Sequence, residues 1–212
     1  MRSASIMHVI RLAACGRVLR FRVHIQFGVL VLARITIRSA TKSDAADIAA
    51  IHVASWRDAY AGILSSEFLN GDIESDRLGV WSGRLREGAP SQLVDVARDP
   101  AGVMTGFVCA YRDADAHWGS LVDNLHVLPR LRGQGIGEKL LQGMVKQLAA
   151  KGADGGLHLW VFEANVAALR FYARLGGRVV ETRTSEIPAA DGIAVLRVHW
   201  PALSQVNWTR KP

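Results

Sequence analysis

The chain has 212 residues, 50% of them hydrophobic, which is enough for one domain with a substantial core and short for two. Its formal charge of +7 would suggest nucleic acid or an acidic surface as a partner, but six arginines, at 2, 11, 17, 20, 22 and 34, lie in the first 34 residues, where no acid occurs. Residues 35–212 hold 20 basic and 19 acidic groups, so the folding part is almost neutral, and neither nucleic acid nor a membrane is expected as its partner.

Residues 1–34 read as a basic N-terminal extension, either a dispensable tail or a misassigned translation start. Their longest clean apolar run, residues 27–33, is too short to span a bilayer. Leu12-Ala-Ala-Cys15-Gly16 is a poor lipoprotein signal, because His8 and Arg11 fall where the apolar core of the signal would be. The two cysteines, Cys15 and Cys109, imply no disulfide framework, which fits a reducing cytoplasm.

A short strand is expected at residues 35–38. Thr41-Lys-Ser43-Asp44 then opens a helix, with Ser43 as N-cap and Asp44 and Asp47 complementing the dipole. Ile48, Ile51, His52, Ser55 and Trp56 continue it at helical spacing, and Tyr60 follows Trp56 four residues on, on the same face. A second helical region spans residues 72–87 and is broken by Gly88-Ala-Pro90. Residues 92–98 and 102–112 read as a hairpin over Asp99-Pro-Ala-Gly102, and a strand at 120–128 follows.

Next come Val127-Leu-Pro-Arg-Leu-Arg132-Gly-Gln-Gly-Ile-Gly137 and an amphipathic run over 138–151. Residues 157–162 alternate as a strand. Glu163-Ala-Asn165 caps a helix carrying Phe171-Tyr172, which closes at Leu175-Gly176-Gly177. Residues 176–186 and 193–200 form a last antiparallel pair around Ala189-Ala-Asp-Gly192. The pattern is one α/β (α+β) domain over 35–200, a mixed sheet with helices on both faces, followed by a C-terminal tail at 201–212.

Gly133, Gly135 and Gly137 remove side chains where a loop turns into a helix, so bare N–H groups and the positive end of the helix dipole face outward. Such a site takes an anion such as pyrophosphate, with charge from Arg130 and Arg132 nearby; the alternative is a turn that merely starts a helix. Two nucleotide motifs fail on spacing. A P-loop needs Gly-Lys-Ser/Thr where Gly137-Glu138-Lys139 stands, and a dinucleotide fingerprint needs glycine where Glu138 stands, so neither ATP nor NAD is indicated.

Arg132-Gly-Gln-Gly135-Ile-Gly137 resembles the first CoA motif of the GNAT superfamily of acyl-CoA-dependent N-acetyltransferases. Asn165, Ala168, Phe171, Tyr172 and Gly176 are similar to its second, about thirty residues on. The resemblance covers residues 35–200 and implies a mostly antiparallel central sheet of six to seven strands, with acetyl-CoA as co-substrate and no metal. Gly177 departs from it, since an aromatic is common there, and weaker local packing is expected.

The resemblance implies an N-acetyltransferase that acts on a primary amine of a small molecule by direct attack in a ternary complex. The alternatives are a peptide or protein amine as acceptor, or a non-catalytic acyl-CoA-binding module. Dimers are common in the family, and the acceptor stays open. The resemblance further implies that Leu125, His126 and Val127 offer their main chain to the acyl carrier, and that Arg132, Gly133, Gln134, Gly135, Ile136 and Gly137 hold its phosphates.

Asn165 matches a position that contacts the CoA arm and also reads as a helix cap. Tyr172 matches the usual general acid, and its ordinary pKa near 10 suits a proton donor. Asp123 and His126 are the candidate bases, with a purely structural role the alternative for either, and strand alternation points them to opposite faces. Trp56 and Tyr60 fall in the helix region that usually covers the acceptor, where pocket and core both explain them.

Overall fold

The computed structural model describes residues 35–190 and 192–208, so the expectations for residues 1–34 lie outside the described residues. The strands are β1 (Thr36–Ser39), β2 (Gln92–Arg98), β3 (Met104–Asp115), β4 (Gly119–Val127), β5 (Leu157–Phe162), β6 (Arg178–Thr184) and β7 (Ala194–Trp200). They form one seven-stranded sheet in the order β1-β2-β3-β4-β5-β7-β6, antiparallel throughout except between β4 and β5. The helices are α1 (Ala45–Ala59), α2 (Ser66–Asn70), α3 (Ile73–Glu87), α4 (Ile136–Ala150) and α5 (Val166–Arg174).

The period-two alternation of β3 divides the core between two helical layers. Val108 and Ala110 pack with Leu140, Leu141 and Met144 of α4, while Phe107 and Cys109 pack with Ile48 and Ile51 of α1 and Trp81 of α3. A third cluster joins Val53 and Trp56 of α1 to Leu69 and Ile73, with Phe162 of β5 beneath them. Helices thus cover both faces of the sheet.

Local details depart from expectation in four places. Ser43 is not the N-cap of α1: a short 3-10 turn at Lys42–Asp44 precedes the helix, Thr41 caps that turn in a capping box with Asp44, and Asp44 stands at the N-cap of α1. Asp44 itself is buried, and the Arg38 guanidinium, backed by Arg98, holds its carboxyl well below the usual carboxylate range. The five-residue helix α2 was not expected; Ser65 Oγ caps it by accepting from the Phe68 N–H at 3.2 Å. Residues 201–208, read as tail, lie against the domain: Val206 is buried in the main core, and the Asn207 N–H donates to the Leu175 carbonyl at 2.9 Å.

Gly177 is the fourth. A Cβ there would come within 2.6 Å of both Trp200 Cζ2 and Val198 Cγ1. The Trp200 indole, fully buried and donating to the Leu175 carbonyl at 2.8 Å, fills that space. Packing is therefore tight at this turn rather than weakened, since the aromatic ring comes from β7 instead of from position 177.

Candidate active site

β4 and β5 pair only at Ser120–Leu157 and Leu121–His158 and then part. β3 takes the other edge of β4, and β7 that of β5, so from Val122 and Leu159 onward each strand turns an unpaired edge toward the opening between them. The main chain of Leu125 to Val127 lies on that edge. A cavity of about 1020 Å³ fills the opening, at the upper end of the usual range for ligand pockets.

One end of the cavity is backbone. Gly133 and Gly135 adopt φ of +75° and +83°, in the left-handed region that favours glycine. A Cβ at Gly133 would meet nothing within 4 Å, so the loop faces open space. Gly135 is the N-cap of α4 and supplies no side-chain cap, which leaves the first N–H groups of a 15-residue helix for a ligand. Gly133, Gly135, Ile136 and Gly137 all line the cavity, and Gln134 beside them has a buried Oε1 without a partner. Asn165 Oδ1 accepts from the Ala168 N–H at 3.1 Å, so the residue caps α5 while also lining the cavity.

Arg132 lines the same cavity beside the glycine loop. Its guanidinium turns away from the loop to pair with Asp58 of α1 and donates to Ser55 Oγ at 3.0 Å. It ties the glycine loop to α1 instead of adding a free charge beside a phosphate. The donor end nevertheless fits an acyl carrier with phosphates and amides, because uncapped helix N–H groups and an open strand edge suit those two chemistries.

The middle of the cavity holds the titratable groups. Tyr172 is buried, and burial together with neighbouring Tyr60 pushes its phenol above the ordinary range, so it keeps its proton. Tyr60 is pushed up to about 12 by burial. His126 Nδ1 lies 2.9 Å from Ser55 Oγ, and burial with the nearby Arg132 charge pulls its pKa down to about 3. The His52 ring lies 4.6 Å from that of His126; its Nδ1 accepts from the Trp81 indole N–H at 2.9 Å, and burial keeps it neutral too.

Asp123 and His126 face the same side, contrary to simple alternation. Cys109 pairs with Asn124 and the next residue, Ala110, with Val122, so Asp123 is the extra residue of a β-bulge. The bulge resets the alternation: Val122 and Leu125 both pack toward α4, while Asp123 and His126 both meet the α1/α3 layer. Arg84 of α3 donates through Nη1 to Asp123 Oδ2 at 2.6 Å and to Asn124 Oδ1 at 3.2 Å.

The far end of the cavity is aromatic. Trp56, Tyr60, Phe68, Trp160 and Phe162 line it, so Trp56 and Tyr60 belong to both pocket and core. The Arg77 guanidinium lies 5.0 Å from the Trp56 ring and pairs with Asp76; that of Arg183 lies 4.0 Å from the Trp160 ring and pairs with Glu186. Sequence reasoning missed Asp58, Phe68, Arg77 and Arg84. Arg77 and Arg84 had a readable signal, since they stand seven apart on one helix and so share a face. Among the described residues no cluster of three His, Cys, Asp or Glu is arranged to hold a metal, and no helix is long and apolar enough to cross a membrane.

A glycine loop before α4, two splayed strands and a capped helix bearing a buried tyrosine thus meet in one cavity. Residues 50–177 match the acetyltransferase (GNAT) family, and the chain belongs to that family, whose general reaction carries an acetyl group from acetyl-CoA to an amine. The chain is 29% identical over 175 residues to YuaI, an uncharacterised N-acetyltransferase of Bacillus subtilis (strain 168), covering 82% of this chain and 96% of that one. A shorter match to the spermine/spermidine N(1)-acetyltransferase of the same organism is 29% identical over 73 residues, 34% of this chain and 48% of that one. The solved PaiA N-acetyltransferase of Thermoplasma acidophilum, in complex with coenzyme A, shares the fold with a TM-score of 0.60 at 20% identity, over 78% of this chain and 99% of that one.

Proposed function

We propose that this chain transfers the acetyl group of acetyl-CoA to the primary amine of a small molecule, by direct attack while both substrates are bound. The observation that carries this is a single cavity running from the glycine loop to the aromatic wall, so that donor and acceptor meet in one space. Among the described residues no cysteine lines the cavity, which disfavours a thiol relay. Among the described residues the cysteine is Cys109, which is buried outside the cavity lining with its thiol pushed up to about 12. A small acceptor is favoured because α1, Phe68 of α2 and residues 185–187 and 189 of the β6–β7 turn wall the far end.

Acetyl-CoA supplies the activated thioester. Tyr172 holds its phenol proton at neutral pH and gives it to the departing sulfur. The main-chain groups of Leu125 to Val127 on the open β4 edge orient the acyl arm, and Asn165 adds a contact beyond its capping role. Asp123, with Oδ2 on Arg84, receives the acceptor ammonium. His126 stays neutral across the physiological range and orients the amine rather than storing its proton.

A continuous free-thiol assay on the full chain, with acetyl-CoA and a panel of amines, amino acids, polyamines, aminoglycosides and peptides, tests the reading. Amine-dependent thiol release is expected. A chain whose melting temperature does not respond to acetyl-CoA would overturn the donor site, and release only with peptides would overturn the small acceptor.

A further inference from the structure

The acceptor end carries three carboxylates in its lining, Asp76, Asp123 and Glu186, and each is already matched by an arginine that also lines the cavity. Arg77 meets Asp76 at 2.5 Å, Arg84 meets Asp123 at 2.6 Å and Arg183 meets Glu186 at 2.9 Å. A polyamine brings several ammonium groups and no anion to offset them, so the three arginines repel it, since like charges brought together in a confined site cost affinity. This end of the cavity is electroneutral and walled by Trp56, Tyr60, Phe68 and Trp160, which suits an acceptor of low net charge with an apolar body.

The Arg84–Asp123 pair gives that acceptor a head group. It sets a carboxylate and a guanidinium side by side on the cavity wall, three residues before His126. An α-amino acid sets an ammonium and a carboxylate side by side on one carbon, the complementary pattern. Arg84 lines the cavity and donates through Nη1 to Asp123 and Asn124, and a guanidinium has five N–H groups in all, so the side chain keeps further donors for a planar carboxylate. Stacking of the same guanidinium over the Trp81 ring at 5.2 Å fixes its plane.

We propose that the acceptor is an α-amino acid with a bulky apolar side chain: its ammonium sits on Asp123, its carboxylate on Arg84, and its side chain among Trp56, Tyr60 and Phe68. This rests on the acetyl-transfer reading. In the balanced step the N–C bond forms as the C–S bond breaks, and the ammonium gives up two protons, one made good at the sulfur by Tyr172 and one released to solvent. Arg84 and the aromatic wall then decide specificity, while the glycine loop plays no part in it.

The test compares L-phenylalanine, L-leucine, L-phenylalaninamide, phenethylamine and spermidine in the thiol-release assay, with acetyl-CoA thermal shift run in parallel. The two amino acids are expected to turn over. Loss or amidation of the carboxylate should raise the acceptor KM at least tenfold without changing the donor KM, and spermidine should be the poorest acceptor. Arg84→Gln should erase the preference for phenylalanine over phenethylamine and improve spermidine, because it frees Asp123. Spermidine or phenethylamine equalling the amino acids in the unaltered protein would overturn the proposal without any variant. A thermal shift with acetyl-CoA but no amino-acid-dependent release sinks the acceptor class alone, whereas no shift at all sinks the acetyl-transfer reading beneath it.

Discussion

At the proposed donor end of the cavity the groups offered to a ligand are main-chain atoms: the N–H groups after Gly135 and the free edge of β4. From the middle of the cavity to the proposed acceptor end they are side chains whose partners stand far away in sequence, Arg84 with Asp123, Ser55 with His126 and Arg132 with Ser55, separated by 39, 71 and 77 residues. The difference teaches that the two halves tolerate change differently. A backbone site survives many substitutions and fails at a glycine, whereas a side-chain site changes specificity with a single exchange.

The largest effect is expected where the halves meet. Tyr172→Phe should lower kcat by roughly 10²- to 10³-fold with the donor KM unchanged, in the range for loss of a general acid. Undiminished turnover in steady-state kinetics would remove Tyr172 from the proton path.

Gly135→Val attacks the donor half alone. A β-branched residue forced to a φ near +83° costs about 1–2 kcal/mol and crowds the N-cap, so the acetyl-CoA KM should rise at least about tenfold and its thermal shift shrink. Acceptor preferences should not move; if they did, the two halves would not be separable.

The middle of the cavity, between the two halves, should be the acid-sensitive part. His52 and His126 are neutral when folded, with His126 lowered to about 3, but titrate near 6.5 when unfolded. The unfolded state therefore binds more protons below pH ~6.5, so stability is fully present above that pH and is lost as pH falls toward the folded values. At pH ~5 each histidine should cost roughly 2 kcal/mol relative to pH ~8, read as a shift in urea midpoint. A midpoint indifferent to pH across that window would contradict the burial of these rings.

Ser55→Ala should give the smallest change, about 1 kcal/mol in acceptor kcat/KM, because it removes one hydrogen-bond partner from both His126 and Arg132. An effect confined to donor KM would instead make Ser55 a prop for the glycine loop.

The order of strands and the main helices was legible from residue 35 to residue 200, because periodicity and turn chemistry are local. So was the glycine loop before α4, since three glycines at alternate positions expose the backbone whatever the rest of the chain does. The helix α2 escaped notice because a five-residue element carries too few periods to register, although its Ser65 cap was readable. Asp123 and His126 were legible as candidates but not as neighbours, because a bulge is one extra residue in a ladder whose partner strand must first be known.

Local residue order is enough for the backbone chemistry: a glycine loop opening a helix, a strand before it and an Asn165-capped helix after it, each specified by residues a few positions apart. Only the tertiary structure decided where the charges went. It turned Arg132 onto α1, placed Arg84 on Asp123, filled the space over Gly177 with Trp200 and parted β4 from β5 into one cavity. The physical reason is that a backbone conformation follows from local sterics, while a side chain's partner is set by which elements pack against it.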